Sequence, residues 1–178
     1  MKRYDPDKII SRLILSLLVM LSVGCGGYRL VGTGSGAAGS AKNIAVPVFK
    51  NNTPEPSLER NVTAKVREAF IQNGKLRVVR EKKADLIFTG NINHYELRAV
   101  SFDTNDNVTE YRVIMKIHVK VKDTSKNKFL IDGIFPSRWT YKVSSELLSS
   151  ERARNEALDE ASSDFAKKMI SIVVEGFW

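Results

Sequence analysis

Thr109-Glu110-Tyr111-Arg112-Val113-Ile114-Met115-Lys116-Ile117-His118-Val119-Lys120-Val121-Lys122 decides the fold. Val113, Met115, Ile117, Val119 and Val121 fall on one face of an extended chain. Arg112, Lys116, His118, Lys120 and Lys122 fall on the other. A period of two held over that length predicts a strand with one face buried and one face polar. That pattern belongs to antiparallel sheets rather than to parallel sheets buried on both sides.

The flanks extend the sheet. Asp85–Val100 and Phe129–Val143 read as strands, the second broken by Pro136. Asp103-Thr104-Asn105-Asp106-Asn107 and Asp123-Thr124-Ser125-Lys126-Asn127 carry the turn chemistry that joins them. Upstream, Asn43–Phe49 reads as a strand whose Pro47 marks an edge or an end. Ser57 is placed to cap a helix through its hydroxyl. Leu58, Val62, Val66, Ala69 and Phe70 then recur at helical spacing, and Asn73-Gly74 ends the helix. Leu76–Val79 is a short strand, followed by the charged loop Arg80–Lys83. From Ser145 to Glu175 the period returns to 3.6, with Ala157, Leu158, Ala161, Phe165, Met169 and Ile172 as the core stripe and Gly176 as the stop. Two amphipathic helices have one apolar surface to cover. The expected fold is therefore α+β, a two-layer sandwich: a mostly antiparallel sheet of about four strands with two helices packed on one face.

The 178 residues allow one domain of ordinary size, and 43% apolar content with 5 Pro and 11 Gly excludes wholesale disorder and collagen-like repeats. One Cys excludes an internal disulfide and a Cys-based zinc cluster. The net charge of +8 points to anionic partners.

The amino end narrows the choice. Lys2, Arg3, Lys8 and Arg12 precede an apolar run, Leu13–Val23, that is too short for the ~20 residues a membrane-crossing helix needs. It has the length of a signal-peptide core. It ends Leu21-Ser22-Val23-Gly24-Cys25, which is similar to the bacterial lipobox: a small residue directly before a Cys whose thiol takes a diacylglyceryl group. Cleavage between Gly24 and Cys25 and fatty acylation at Cys25, palmitate among the chains, would anchor the mature chain stably. The expected organisation is residues 1–24 signal peptide, 25–42 lipidated Gly/Ser/Ala-rich tether, and 43–178 a single α+β domain. By the sorting rule of that lipoprotein class, Gly26 after the Cys fits the outer membrane, on its periplasmic side.

Catalytic patterns are absent. The sequence has no G-x-S-x-G, Walker loop or H-E-x-x-H, and His94 and His118 stand alone in strands. Gly32-Thr33-Gly34-Ser35-Gly36 lacks the Lys-Ser/Thr pair of a phosphate loop and reads as linker. Neither an enzyme, a metal site nor a cofactor is expected. The basic ladder on Arg112, Lys116, His118, Lys120 and Lys122 repeats about every 6.6 Å and could meet several phosphates at once. A solvated sheet face, or lysines that discourage edge pairing, would look the same. Nucleic acid does not suit an exported, tethered domain; an anionic glycolipid or a charged protein lumen does.

Cys25-Gly26-Gly27-Tyr28-Arg29-Leu30 resembles the start of mature LptE, the lipopolysaccharide-assembly outer-membrane lipoprotein family. Thr109–Met115, with its Glu-Tyr before an alternating strand, is similar to that family as well. So are Asn43–Phe49 before a loop and helix, and the long terminal helix. The resemblance implies a plug inside the LptD β-barrel that helps the barrel assemble, binds lipopolysaccharide and takes part in its transport to the outer leaflet. The family's basic residues near the first hairpin turn have no counterpart in Asp103–Asn107, and the later position falls near Phe135-Pro136. Arg112, Lys116, Lys120 and Lys122, with Arg138 and Lys142, are the candidate lipopolysaccharide or barrel contacts instead. A periplasmic scaffold or ligand-binding lipoprotein of the curli-secretion or TolB N-terminal type is the alternative, on the segment Ala84–Gly90.

Overall fold

The computed structural model describes residues 36–143 and 147–176. The expected signal peptide, the expected cleavage and acylation site at Gly24 and Cys25, and the first part of the expected tether lie outside the described residues. Six strands and two helices follow: β1 (Asn43–Ala45), β2 (Lys50–Asn51), α1 (Leu58–Asn73), β3 (Arg77–Val78), β4 (Leu86–Phe102), β5 (Val108–Asp123), β6 (Lys128–Lys142) and α2 (Leu147–Ile170). A 3₁₀ turn, Glu81–Lys83, precedes β4, and a π-turn, Ser171–Glu175, prolongs α2.

The alternating segment forms β5, which lies between β4 and β6 in the sheet. Val113, Met115, Ile117, Val119 and Val121 are fully buried, as the period of two requires. β4 and β6 pair with β5 antiparallel on either side. Both turns are held by their first Asp. Asp103 accepts from the Asn105 and Asn107 amides, and Asp123 accepts from those of Ser125 and Lys126.

The expectation of about four mostly antiparallel strands is corrected in two ways. The sheet has six strands and is mixed, with order β3-β1-β4-β5-β6 and β2 also on β4. β1 is parallel to both β3 and β4. The reason is the connection: β1–α1–β3 is a crossover, and a helix that leaves one strand's end and returns to its start delivers the next strand parallel. The segment 43–49 is also divided. Pro47 interrupts pairing, so β1 and β2 meet β4 separately, at Leu86–Ile87 and at Asn91–Ile92.

Two further expectations change. β6 is not broken at Pro136, which pairs with Lys116. The odd-numbered residues take the bonds toward β5, as the Val143 amide does with the Thr109 carbonyl at 2.9 Å. Pro136 therefore turns its missing donor to the free edge, where nothing is lost. Ser57 makes no side-chain cap. It adopts a left-handed φ of 62°, and its carbonyl, not its hydroxyl, meets the Arg60 and Asn61 amides. Gly74 does end α1 in the left-handed region, donating to the Phe70 carbonyl. Gly176 ends the π-turn likewise.

Both helices cover the apolar face of the sheet. Val62, Val66 and Phe70 from α1 and Ala161, Phe165 and Met169 from α2 are buried there. Buried hydroxyls pin the layers. Thr63 accepts from the Phe49 amide at 3.0 Å, and Ser137 on β6 donates to the Ala161 carbonyl at 2.7 Å. Arg154 of α2 grips both carboxylate oxygens of Glu55 at 2.6–2.7 Å, tying α2 to the loop before α1. Burial pushes the neighbouring Tyr95 phenol up. Gly36–Ala41, part of the expected tether, packs on the end of α2, where the Ala38 amide donates to the Val173 carbonyl.

Phe49 stacks on Phe88 with centroids 5.8 Å apart and meets Phe165 edge-on at 6.4 Å. The ring lies over Gly90, where an added Cβ would stand 2.4 Å from its carbons. Gly90→Ala is expected to cost about 1–3 kcal/mol by overpacking. This reads as a lower urea midpoint at unchanged slope; an unchanged midpoint would show that the ring yields freely.

Candidate functional site

The polar face of the sheet follows from the same alternation that builds the core. On β5 it presents Arg112, Ile114, Lys116, His118, Lys120 and Lys122. The β6 register sets Arg138 opposite Ile114 and Lys142 opposite Glu110. All six candidate cations, Arg112, Lys116, Lys120, Lys122, Arg138 and Lys142, thus share one face of two adjacent strands. Strands about 4.8 Å apart and alternate residues about 6.6 Å apart make a two-dimensional grid of positive charge.

The grid is neutralised in one place. Asp132 on β6 stands opposite Lys120, and its carboxylate meets the His118 ring at 2.6 Å and the Lys120 ammonium at 3.2 Å. The His118 hydrogen bond, and after it Lys120, hold the Asp132 carboxyl below the usual carboxylate range. Lys120 also lies 5.3 Å from the Phe129 ring centroid, a cation–π distance. Arg112 donates from Nε to the Thr140 hydroxyl at 3.3 Å. Among the described residues, Lys116, Lys122, Arg138 and Lys142 have no carboxylate within ion-pair distance. The free cations therefore lie at the two ends of the ladder, with a paired middle.

Sequence reasoning missed several members of this face. Asp132 lies in the strand that follows, and only the β5–β6 register brings it to Lys120. On β4, Glu96 takes Arg98 at 2.8 Å and His94 at 3.4 Å, and His94 stands opposite Lys116. The spacing of 94, 96 and 98 was a legible signal, since alternate residues of a strand are neighbours on one face. The face is also partly apolar: Ile134 is 65% exposed with Pro136 next along the same face, and Phe129, also exposed, stands opposite Lys122. On the helix-side face Tyr111 and Tyr141 stack at 5.9 Å, Trp139 and Tyr141 lie beside Ala153 and Ala157 of α2, and Leu97 and Trp139 are partly exposed. Among the described residues no cluster of His, Cys, Asp and Glu is arranged to hold a metal.

Residues 41–171 match the model of a family described as LptE, lipopolysaccharide-assembly. No curated protein gives a significant match. Among solved structures, rare lipoprotein B from Shewanella oneidensis is similar, with 18% identity, 72% of this chain and 92% of that one covered, and a TM-score of 0.51. A hypothetical protein from Chlamydia trachomatis has 10% identity, coverage of 74% and 95%, and a TM-score of 0.54. An uncharacterized lipoprotein B from Nitrosomonas europaea has 13% identity, coverage of 82% and 91%, and a TM-score of 0.50. At these identities the likeness is one of fold.

The Asp132 bridge is testable by titration. A depressed carboxyl keeps its stabilising contact above its unfolded value and loses it as pH falls through the lower folded one. In a carbon-detected NMR titration, Asp132 is expected to protonate at lower pH than an ordinary Asp. His118→Gln should move that midpoint upward, and an unmoved midpoint would deny the bridge.

Proposed function

The chain belongs to the LptE lipopolysaccharide-assembly family of non-enzymatic Gram-negative envelope lipoproteins, and from this premise we propose that it is a lipid-anchored outer-membrane lipoprotein on the periplasmic side. In this reading it is held by acyl groups on Cys25, plugs the LptD β-barrel and helps it assemble, and takes part in lipopolysaccharide transport to the outer leaflet. The observation that carries the reading is the family match across 41–171, nearly the whole described fold.

The geometry supports it in two ways. The lumen of an outer-membrane barrel is polar, and a rigid two-layer body with one charged sheet face has the character of a lumen-facing plug. The face also suits an anionic amphiphile. Lys116, Lys122, Arg138 and Lys142 offer unpaired cations to phosphates, and Arg112 and Arg138 offer planar forks. Ile134 and Phe129 lie beside them for apolar contact. Lys120, already engaged by Asp132, contributes less. No helix among the described residues is long and apolar enough to cross a membrane, which agrees with an anchor made of lipid.

Gentle detergent extraction tests the reading as a whole. The chain is expected to co-purify with a large β-barrel and to carry a diacylglyceryl group and an N-acyl chain on Cys25 by mass spectrometry. Cys25→Ala should leave it uncleaved and unlipidated. A freely soluble chain with an unmodified amino end would refute the proposal.

The contact face has its own test. Lys116→Gln, Lys120→Gln and Lys122→Gln together are expected to weaken binding to lipid A vesicles at least about tenfold at low salt, with the difference shrinking as salt rises. Lys120→Gln alone should cost less than Lys116→Gln or Lys122→Gln. Equal binding by the triple variant would remove this face from the proposal.

A further inference from the structure

A second concentration of charge lies at the opposite edge of the sheet. Residues 75–83, KLRVVREKK, hold five cations against a single carboxylate, Glu81. The fold turns this run into one surface. Gly74 ends α1, β3 pairs only with β1 and leaves its other edge free, and the 3₁₀ turn Glu81–Lys83 bends the chain back toward β4. Lys75, Arg77, Arg80, Lys82 and Lys83 are all exposed. Among the described residues none of the five has a carboxylate within ion-pair distance.

The surface is grooved and partly apolar. Arg77 and Lys83 line a concavity of about 530 Å³ together with Ile71, which is 65% exposed. Arg80 and Lys82 line a neighbouring one with Pro47, and Val48 beside it is 56% exposed. Free cations around isolated exposed aliphatic side chains suit a layer of anionic headgroups: the charges meet phosphates and the aliphatic groups dip toward the glycerol level.

Five uncompensated cations call for an anionic partner, and an anchor at Cys25 would place the domain beside a surface of that kind. Lys42 leads into β1; its carbonyl accepts from the Arg77 amide at 2.9 Å, and its own amide donates to Asp85 at 2.9 Å. The described chain begins at Gly36, against the π-turn that prolongs α2, where the Ala38 amide donates to the Val173 carbonyl, and it passes from there through Lys42 to the cationic strand. Only residues 26–35 separate Cys25 from Gly36, where the described chain begins. Even fully extended, a stretch of that length spans at most roughly 35–40 Å. An anchor at Cys25 keeps this end of the domain within reach of the bilayer surface.

We propose that the Lys75–Lys83 corner is a membrane-facing surface that docks on anionic phospholipid headgroups of the leaflet holding the anchor. This rests on the proposed lipidation of Cys25. Because β3 and β6 are opposite edges of the sheet, docking at β3 leaves Arg138 and Lys142 free for another partner.

The full chain, purified from membranes, is reconstituted into vesicles of phosphatidylcholine alone or with phosphatidylglycerol, and amide exchange is followed by mass spectrometry. Residues 75–83 are expected to exchange more slowly with phosphatidylglycerol, and the effect should disappear in high salt. Arg77→Gln should reduce the protection about fivefold, the share one basic residue holds at an anionic surface. Salt reversal in the unaltered chain reads the same contact without any substitution. Equal exchange in both vesicles overturns the proposal, as does protection seen with lipid A but not with phosphatidylglycerol. The mass of the amino-terminal peptide from the same sample reports lipidation separately. An unmodified Cys25 refutes the anchor, while the exchange of residues 75–83 still decides the docking surface.

Discussion

The structure depends on the burial of one face of β5. Val113, Met115, Ile117, Val119 and Val121 are removed from water together beneath α1 and α2, and each such side chain contributes about 1.5–3 kcal/mol. A shift of pairing by one residue would exchange the two faces and put Lys116, Lys120 and Lys122 into the core. That penalty fixes the register of β4 and β6 on β5, and the same register assembles the cationic face. Core and candidate site are two sides of one constraint.

Beside this three-stranded antiparallel part the parallel strands are held by more local means. β1, β2 and β3 are only two or three residues long, too short to hold their places by backbone pairing alone. Asp85 fastens β1 by accepting from the Lys42 and Asn43 amides, and those two bonds hold its carboxyl below the usual range. Thr63 fastens Phe49 to α1, and the Phe49, Phe88 and Phe165 rings fill the space between sheet and helices. The surface ion pair Lys65–Asp159 between the helices adds little beside these.

The distribution of charge separates two roles within one small domain. The ladder on β5 and β6 has a neutralised middle, where Asp132 binds His118 and Lys120, and free cations at its ends. The β3 corner has no such internal compensation, and its Arg77 amide bonds the carbonyl of Lys42, the residue that leads into β1. Under the proposed reading, lipid would hold this body at one edge while its sheet face stayed open to an anionic amphiphile or a barrel wall, an arrangement suited to bridging a bilayer and a transport channel.

Elements with a long periodicity are legible in the residue order alone. The alternation of 113–121 and the stripes of α1 and α2 give their type and buried face directly, because a repeated pattern over several turns or pleats has one geometric solution. The grouping of Arg112, Lys116, Lys120 and Lys122 was legible for the same reason. Pairing between distant segments is set by the folded chain instead. The parallel placement of β1 and β3, the passage of β6 through Pro136, the carbonyl rather than hydroxyl of Ser57 at the start of α1, and the capture of Lys120 by Asp132 all depend on which strand lies beside which. Short strands carry too few residues to encode a partner, and a side chain's neighbour across a sheet is set by register, which no local pattern records.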